Sequence, residues 1–391
     1  MAEVAGSQAP EPAGDRDCRY AGVQPEDLDF DEPGERLGRQ VDLEIPEAAR
    51  IGEIVIDRRE VFSPDREDEH WLPRWGNRLH VLTRENALRA QLFFEPGDAY
   101  RESELEESER VLRGQDYLLD AWVQPFRVCG ERVDVAVVTR DLWTLRPDFG
   151  FTRTGGENRT SIGFTDENFL GTGKRIAVKR QTGPERDRTL IDYADPNILG
   201  SRWRGAARIA DNSDGDEQWL DIERPFYRFG TRWAAGFDAR RDDRVDEFFE
   251  RGDEVSAFRH ELTTTGAFGG LSLGVRDRID RRLLFGYRHV ERDFSVEPGE
   301  LPPPTPFPDD RTLSYPWIGF ALIENRFVET VNLDRIQRIE DVRDGIEFET
   351  RLGWSDSALG GDADRLVVAT RLRDALFAES GRYLEYRIEQ D

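Results

Sequence analysis

The hydrophobic pattern changes character near residue 142. Before it, apolar positions group into a strand, two helical faces and two further strands. After it, helical periodicity fades and period-two alternation takes over. Residues 1–45 carry little periodic apolar character and are rich in Pro, Gly, Asp and Glu, so they read as a disordered leader. Residues 46–141 predict a compact α+β domain of order β-α-α-β-β. Its first strand is Arg50-Ile-Gly-Glu-Ile-Val-Ile-Asp-Arg-Arg-Glu-Val-Phe62, followed by an acidic insertion and a short aromatic segment over 70–80. Thr83 can cap a helix with Ala87, Leu88 and Leu92 on one face, and Ser103 with Glu106 forms a capping box for a second helix carrying Leu105 and Leu112. Residues 117–128 and 132–139 then form two strands with a tight turn at Cys129-Gly130.

Beyond residue 142, Phe149-Gly-Phe-Thr-Arg153 and Ile162-Gly-Phe-Thr165 set large apolar residues against small or polar ones. The cleanest case puts Ile346, Phe348, Thr350, Leu352 and Trp354 on one side, with Glu347, Glu349, Arg351 and Gly353 on the other. Such strands suit a barrel wall between lipid and lumen, and equally a half-exposed sheet of a soluble sandwich. A repeat favours the barrel. Thr165-Asp-Glu-Asn-Phe-Leu-Gly171 returns as Ala194-Asp-Pro-Asn-Ile-Leu-Gly200 and more faintly as Glu223-Arg-Pro-Phe-Tyr227, with Glu167, Pro196 and Pro225 at steps of 29 residues. Two spanning strands with their turns fill that length, whereas sandwich hairpins are shorter. Residues 142–391 therefore predict an all-β antiparallel transmembrane barrel with about ten to twelve strands of spanning length. Pro302-Pro-Pro-Thr-Pro-Phe-Pro308 marks a stiff loop within it.

Composition narrows the function. The chain has 80 acidic and 55 basic residues, a net charge of -25 and a mean hydropathy of -0.69, a surface that repels nucleic acid. No run approaches a membrane-crossing helix, which leaves barrel strands open. Met1-Ala-Glu-Val-Ala lacks the features of a signal peptide. Cys18 and Cys129 can pair in an oxidising compartment, but two cysteines do not decide it. Gly171-Thr-Gly-Lys174 lacks the spacing of a phosphate loop and reads as a hairpin turn. Asp211-Asn-Ser-Asp-Gly-Asp-Glu217 misses the register of a calcium loop and reads as a hydrated hairpin loop. His70, His80, His260 and His289 have no metal-ligand spacing, and no nucleophile motif occurs. Neither an enzyme, a cofactor nor a metal is expected.

The motifs in order resemble one known family. They are Gly97-Asp-Ala-Tyr100, Leu105-Glu-Glu-Ser-Glu-Arg-Val-Leu-Arg113, Tyr117-Leu-Leu-Asp-Ala-Trp-Val123 and Val133-Asp-Val-Ala-Val-Val-Thr-Arg-Asp141 in the first part. Thr154-Gly-Gly156, Asp166-Glu-Asn-Phe-Leu-Gly-Thr-Gly-Lys174 and Asn332-Leu-Asp-Arg-Ile336, with Glu340-Asp-Val342 and Gly345, follow. Over residues 50–375 the chain resembles the outer-membrane assembly-factor superfamily of BamA- and TamA-like proteins and bacterial surface antigens. The resemblance implies a periplasmic POTRA (polypeptide-transport-associated) domain at 46–141 before a barrel in the bacterial outer membrane. It implies insertion, assembly or translocation of clients, which are unfolded outer-membrane proteins or secreted proteins. Other expected partners are the lipid bilayer and periplasmic or lipoprotein factors. Clients would add a strand to an open edge, either at Leu145, Phe149, Phe151 and Arg153 or at Leu118 and Trp122. The chain departs from the family in its strand count, sixteen being the family expectation. It also lacks a Val-Arg-Gly-aromatic motif and ends in Tyr386-Arg-Ile-Glu-Gln-Asp391 without a terminal aromatic strand, so the barrel is expected to be incomplete. The alternatives are a passive pore or surface antigen, and a soluble acidic β-sandwich that binds a ligand.

Overall fold

Residues Arg132–Asp141 are buried at every position after the first, the signature of a strand covered on both faces. The computed structural model, which describes residues 18–30, 41–64, 71–184, 186–299, 301–377 and 383–390, gives the reason. It divides into two units, Met1–Leu142 with Glu329–Asp341, and Trp143–Val328 with Val342–Asp391. In the first unit β1 (Cys18–Tyr20), β2 (Arg50–Arg59), β3 (Leu118–Cys129) and β4 (Arg132–Asp141) form a sheet of order β1-β3-β4-β2, with β2 parallel to β4. Its helices are α1 (Trp71–Leu79), α2 (Glu85–Arg89) and α3 (Glu102–Arg113). One core joins Leu88, Leu92, Leu105 and Leu112 to Ile51, Val123, Val133, Val135 and Val137. A second joins Leu28 and Phe30 to Trp122, Ala136 and Val138. Burying each large aliphatic side chain contributes about 2 kcal/mol, so these two cores dominate the unit's stability.

Several expectations change here. The leader is ordered over 18–30: β1 pairs with Arg127, Val128 and Cys129, and Cys18 is disulfide-bonded to Cys129. Leu28 and Phe30 give that segment an apolar face to bury, which its polar composition concealed. Residues 1–17 and 31–40 lie outside the described residues. Helix α3 opens with Arg101 as N-cap and no side-chain cap, leaving Ser103 inside the first turn instead of capping it. Arg84, not Thr83, precedes α2; the Thr83 N–H and hydroxyl donate instead to the buried Asp141 carboxylate, at 2.7 and 2.8 Å. The aromatic segment contains helix α1.

The second unit is a meander. Its first strands are β5 (Leu145–Thr154), β6 (Glu157–Asp166), β7 (Arg175–Thr182), β8 (Arg188–Asp195), β9 (Arg204–Asn212) and β10 (Gly215–Arg224). Four longer ones follow: β11 (Trp233–Glu250), β12 (Asp253–Arg276), β13 (Ile279–Ser295) and β14 (Arg311–Glu324). A separate hairpin, β15 (Phe327–Val331) and β16 (Ile339–Arg343), most of which belongs to the first unit, precedes in the chain β17 (Glu347–Ser355), β18 (Arg365–Phe377) and β19 (Tyr383–Gln390). Among the described residues all of these strands but β15 and β16 join one antiparallel sheet of 13 strands, more than the ten to twelve expected. Among the described residues the sheet is not closed: β5 and β19 are its edges. Antiparallel order over an odd number of strands makes these two edges run in the same direction. Among the described residues no second sheet of this unit is stacked against it, and Trp354, which a sandwich would seal inside, is 48% exposed.

The repeat has a structural meaning. The β6–β7 and β8–β9 turns are near copies: Asn168 N–H donates to Asp166 and Asn197 N–H to Asp195, both at 3.0 Å. Leu170 and Leu199 then take φ of 53° and 52°. Asp211 to Glu217 forms the β9–β10 hairpin, and Lys174 of the glycine-rich turn pairs with Asp195 at 3.0 Å.

Close packing at one glycine fixes part of the register. A Cβ at Gly286 of β13 would lie 2.5 Å from the Ala267 carbonyl oxygen and 2.6 Å from the Trp317 ring. Gly286→Ala is expected to destabilise the sheet by about 1–3 kcal/mol, read as a lower urea midpoint with unchanged slope.

Candidate functional site

The sheet sorts its side chains by chemistry, because partners in an antiparallel ladder share a face. One face is apolar across neighbouring strands. Phe149 pairs with Ile162, Val178 with Ile191, Ile191 with Ile209, Leu271 with Leu283, Phe285 with Ile318, and Leu352 with Val368. These side chains face outward: Ile162 is 59%, Ile209 62% and Ile318 62% exposed. On the other face charges pair across strands. Lys179 meets Asp148 at 2.6 Å across Gly163, Arg208 meets Asp192 at 2.7 Å, and Arg288 meets Asp238 at 2.7 Å across Gly266. The apolar band is limited in height. On β11 it runs from Trp233 to Ala239, roughly 20 Å at the strand rise. Farther along, Asp243 and Arg259 form an ion pair on the same face at 2.5 Å.

Strand β5 carries the first set of candidate residues. Leu145, Phe149 and Phe151 are 45%, 75% and 69% exposed on the apolar face, and Arg153 is exposed beside them. β5 pairs with β6 on one side, and among the described residues no strand pairs with its other side. Pro147 within β5 fits an edge, where a missing N–H costs no ladder bond.

The second set is placed differently. Leu118 is fully buried and Trp122 is 6% exposed, so both belong to the domain's cores. The adjoining edge of β3 is occupied by the domain itself. Val123 N–H donates to Glu109 Oε2 at 2.7 Å, and Ala121 N–H donates to Asp120 Oδ1 at 2.7 Å. Pro125 has no N–H, and residues 127–129 pair with β1. Native edges are commonly blunted in this way.

Glu109 belongs to a buried charge cluster that the sequence motifs do not single out. Arg113 lies 2.7 Å from Glu109, 2.7 Å from Glu329 and 3.1 Å from Asp341. Arg338 donates to the Arg113 and Gln115 carbonyls at 2.6 and 3.3 Å, closing the C-terminal end of α3. Glu340 accepts the Leu333 and Asp334 N–H groups at 2.9 and 3.2 Å, which accounts for the Asn332–Glu340 motif as a folded turn. The i,i+4 spacing of Glu109 and Arg113 was the available signal. Burial pushes the Glu109 carboxyl up to about 7, against the pull of Arg113 and the Val123 N–H. Burial opposes the Arg113 charge, yet Glu109, Asp341 and Glu329 hold its pKa above the ordinary value.

Among the described residues no three His, Cys, Asp or Glu groups gather to hold a metal ion. No described helix is long and apolar enough to cross a membrane, which says nothing of strands. No family model and no curated protein matches the sequence. Among solved structures the chain is similar to BamA from Haemophilus ducreyi lacking POTRA domains 1–3, with TM-score 0.36 and 10% identity over 88% of this chain and 81% of that one. It is similar to CdiB from Acinetobacter baumannii with the same score and identity, over 88% of this chain and 70% of that one.

The Glu109 shift has a sign. Its folded value lies above the ordinary 4.5, so the stability it contributes is complete below about 4.5 and lost as pH rises through about 7. Glu109→Gln is expected to flatten the stability profile across that window, read by hydrogen exchange at the Val123 amide. An unchanged slope would contradict the assignment.

Proposed function

We propose that the protein is a bacterial outer-membrane β-barrel-type protein whose first unit is a periplasmic POTRA-like domain. It assists insertion, assembly or translocation of client proteins by adding a client strand to the β5 edge. The observation that carries the reading is the β5 edge, unpaired among the described residues, beneath an exposed apolar row. Such an edge offers a ladder of backbone N–H and C=O groups to an incoming strand. Phe149 and Phe151 flank that ladder on the apolar side, where a client strand would carry its own lipid-facing residues. A band of roughly 20 Å on β11 is close to the ~25 Å apolar height of outer-membrane barrels, with charge resuming beyond it. The polarity of the edges supports the same reading: one strand antiparallel to β5 is also antiparallel to β19. The reaction needs no cofactor or nucleotide, since the driving force is hydrogen bonding and apolar burial.

A photo-crosslinker at Phe149 or Phe151 is expected to capture nascent outer-membrane proteins, while one at the buried Trp122 captures none. If depletion of the protein leaves other outer-membrane proteins at normal levels, the assembly role is lost and a passive pore is the better account.

A further inference from the structure

The β8–β9 and β10–β11 turns lie at the same end of the sheet, because a meander turns alternately at opposite ends. Together they place an aromatic and guanidinium cluster at the rim of the apolar face. Trp203 and Trp233 meet edge to face with centroids 6.4 Å apart. Trp233 pairs with Leu271 on the apolar row. The Arg224 guanidinium lies 3.8 Å from the Trp233 ring centroid and 4.8 Å from that of Tyr227. It donates to the Trp233 carbonyl and, at 3.3 Å, to the Tyr227 hydroxyl. Arg202 lies over the same Tyr227 ring at 5.1 Å. Although the chain carries a net charge of -25, Arg224 has no carboxylate within ion-pair distance among the described residues.

The neighbouring turn extends the apolar side of this cluster. Ile198 folds over Gly205, where an added Cβ would lie 2.9 Å from Ile198 Cδ1. Leu199 is left 98% exposed in a left-handed backbone conformation. That conformation costs a leucine about 1–2 kcal/mol, and no burial within the protein offsets it. Leu170 repeats the arrangement one hairpin earlier, half exposed at nearly the same φ.

We infer that Arg224, Arg202, Tyr227 and Trp233 bind the phosphate headgroup of an anionic phospholipid, while Trp203, Ile198 and Leu199 cover the start of its acyl chains. The inference rests on the reading of the apolar face as lipid-facing. Beyond the two bonds already made, the Arg224 guanidinium, within cation–π distance of both rings, has its Nε–H and one hydrogen on each terminal nitrogen to offer a phosphate. Indole and phenol rings suit the interface between headgroup and hydrocarbon. A free phosphate ion would use the guanidinium groups but not the exposed leucine and paired indoles beside them. Phospholipid uses both, so the occupant is the lipid.

The full chain is reconstituted in phosphatidylcholine vesicles with or without phosphatidylglycerol, then extracted, and the lipid that co-purifies is measured by mass spectrometry. Wild type is expected to retain phosphatidylglycerol preferentially, and Arg224→Gln to lose about fivefold of that preference. Arg224→Lys keeps the charge but not the planar donor fork and is expected to fall between them. Arg202→Gln provides a second reading should Arg224→Gln fail to reach the heat-modifiable folded form. Equal retention by wild type and folded Arg224→Gln and Arg202→Gln would overturn the site. Displacement of the lipid by excess inorganic phosphate would overturn the choice of ligand. Failure of the wild type to enter either vesicle is a separate result that defeats the lipid-facing reading itself.

Discussion

Period-two alternation is the constraint on which the second unit depends. Shifting one strand by a single residue would bring Asp148, Asp192 or Asp238 onto the apolar face and turn its apolar partners toward the charged side. Register is held from the charged side, where Lys179–Asp148 and Arg288–Asp238 each reach across an intervening glycine. Exposed pairs of this kind contribute little stability individually. Their geometric effect is larger, because a slipped strand breaks its ion pairs and its apolar match together. Gly286 beneath Trp317 acts in the same direction through volume.

The first unit solves the opposite problem, that of closing an edge. Its sheet is covered on both faces by separate cores, and several groups close the open side of β3. Glu109 supplies a carboxylate from α3, Pro125 removes a donor, and the disulfide-linked β1 covers the final residues. The cluster of Glu109, Arg113, Glu329 and Asp341 carries more acid than base in a buried place. A raised carboxyl pKa follows from that imbalance and from burial. Within one chain, then, one strand edge is blocked by several independent devices while another has no strand partner among the described residues.

Much of this was legible in the sequence. The change of period near residue 142, the closing β3–β4 pair, the exposed Phe149 and Phe151 and the 29-residue repeat all have structural counterparts. The least legible elements were strands built from small residues. β12 contains Thr263-Thr-Thr265, Gly266, Gly269 and Gly270, so its alternation is between small and smaller side chains and hydrophobicity barely registers it. Long-range polar contacts were equally hidden: nothing local in the sequence says that Arg338 caps a helix ending at Arg113. Thr83 and Ser103 followed local capping rules that tertiary contacts overrode, since Asp141 recruits Thr83 and α3 begins ahead of Ser103. The burial of Leu118 and Trp122 was hidden for a related reason. A strand read alone shows its edge, but not which side chain from a helix already occupies it.

The odd number of strands among the described residues fixes a direction at the edges that is independent of their chemistry. The two rims of the sheet point the same way, so a single segment, or three with alternating direction, would be antiparallel to both. A β-hairpin brings two segments of opposite sense, and one of them must then lie alongside a rim heading in its own direction. An extended segment is therefore antiparallel to both rims at once, whereas a preformed pair is antiparallel to only one.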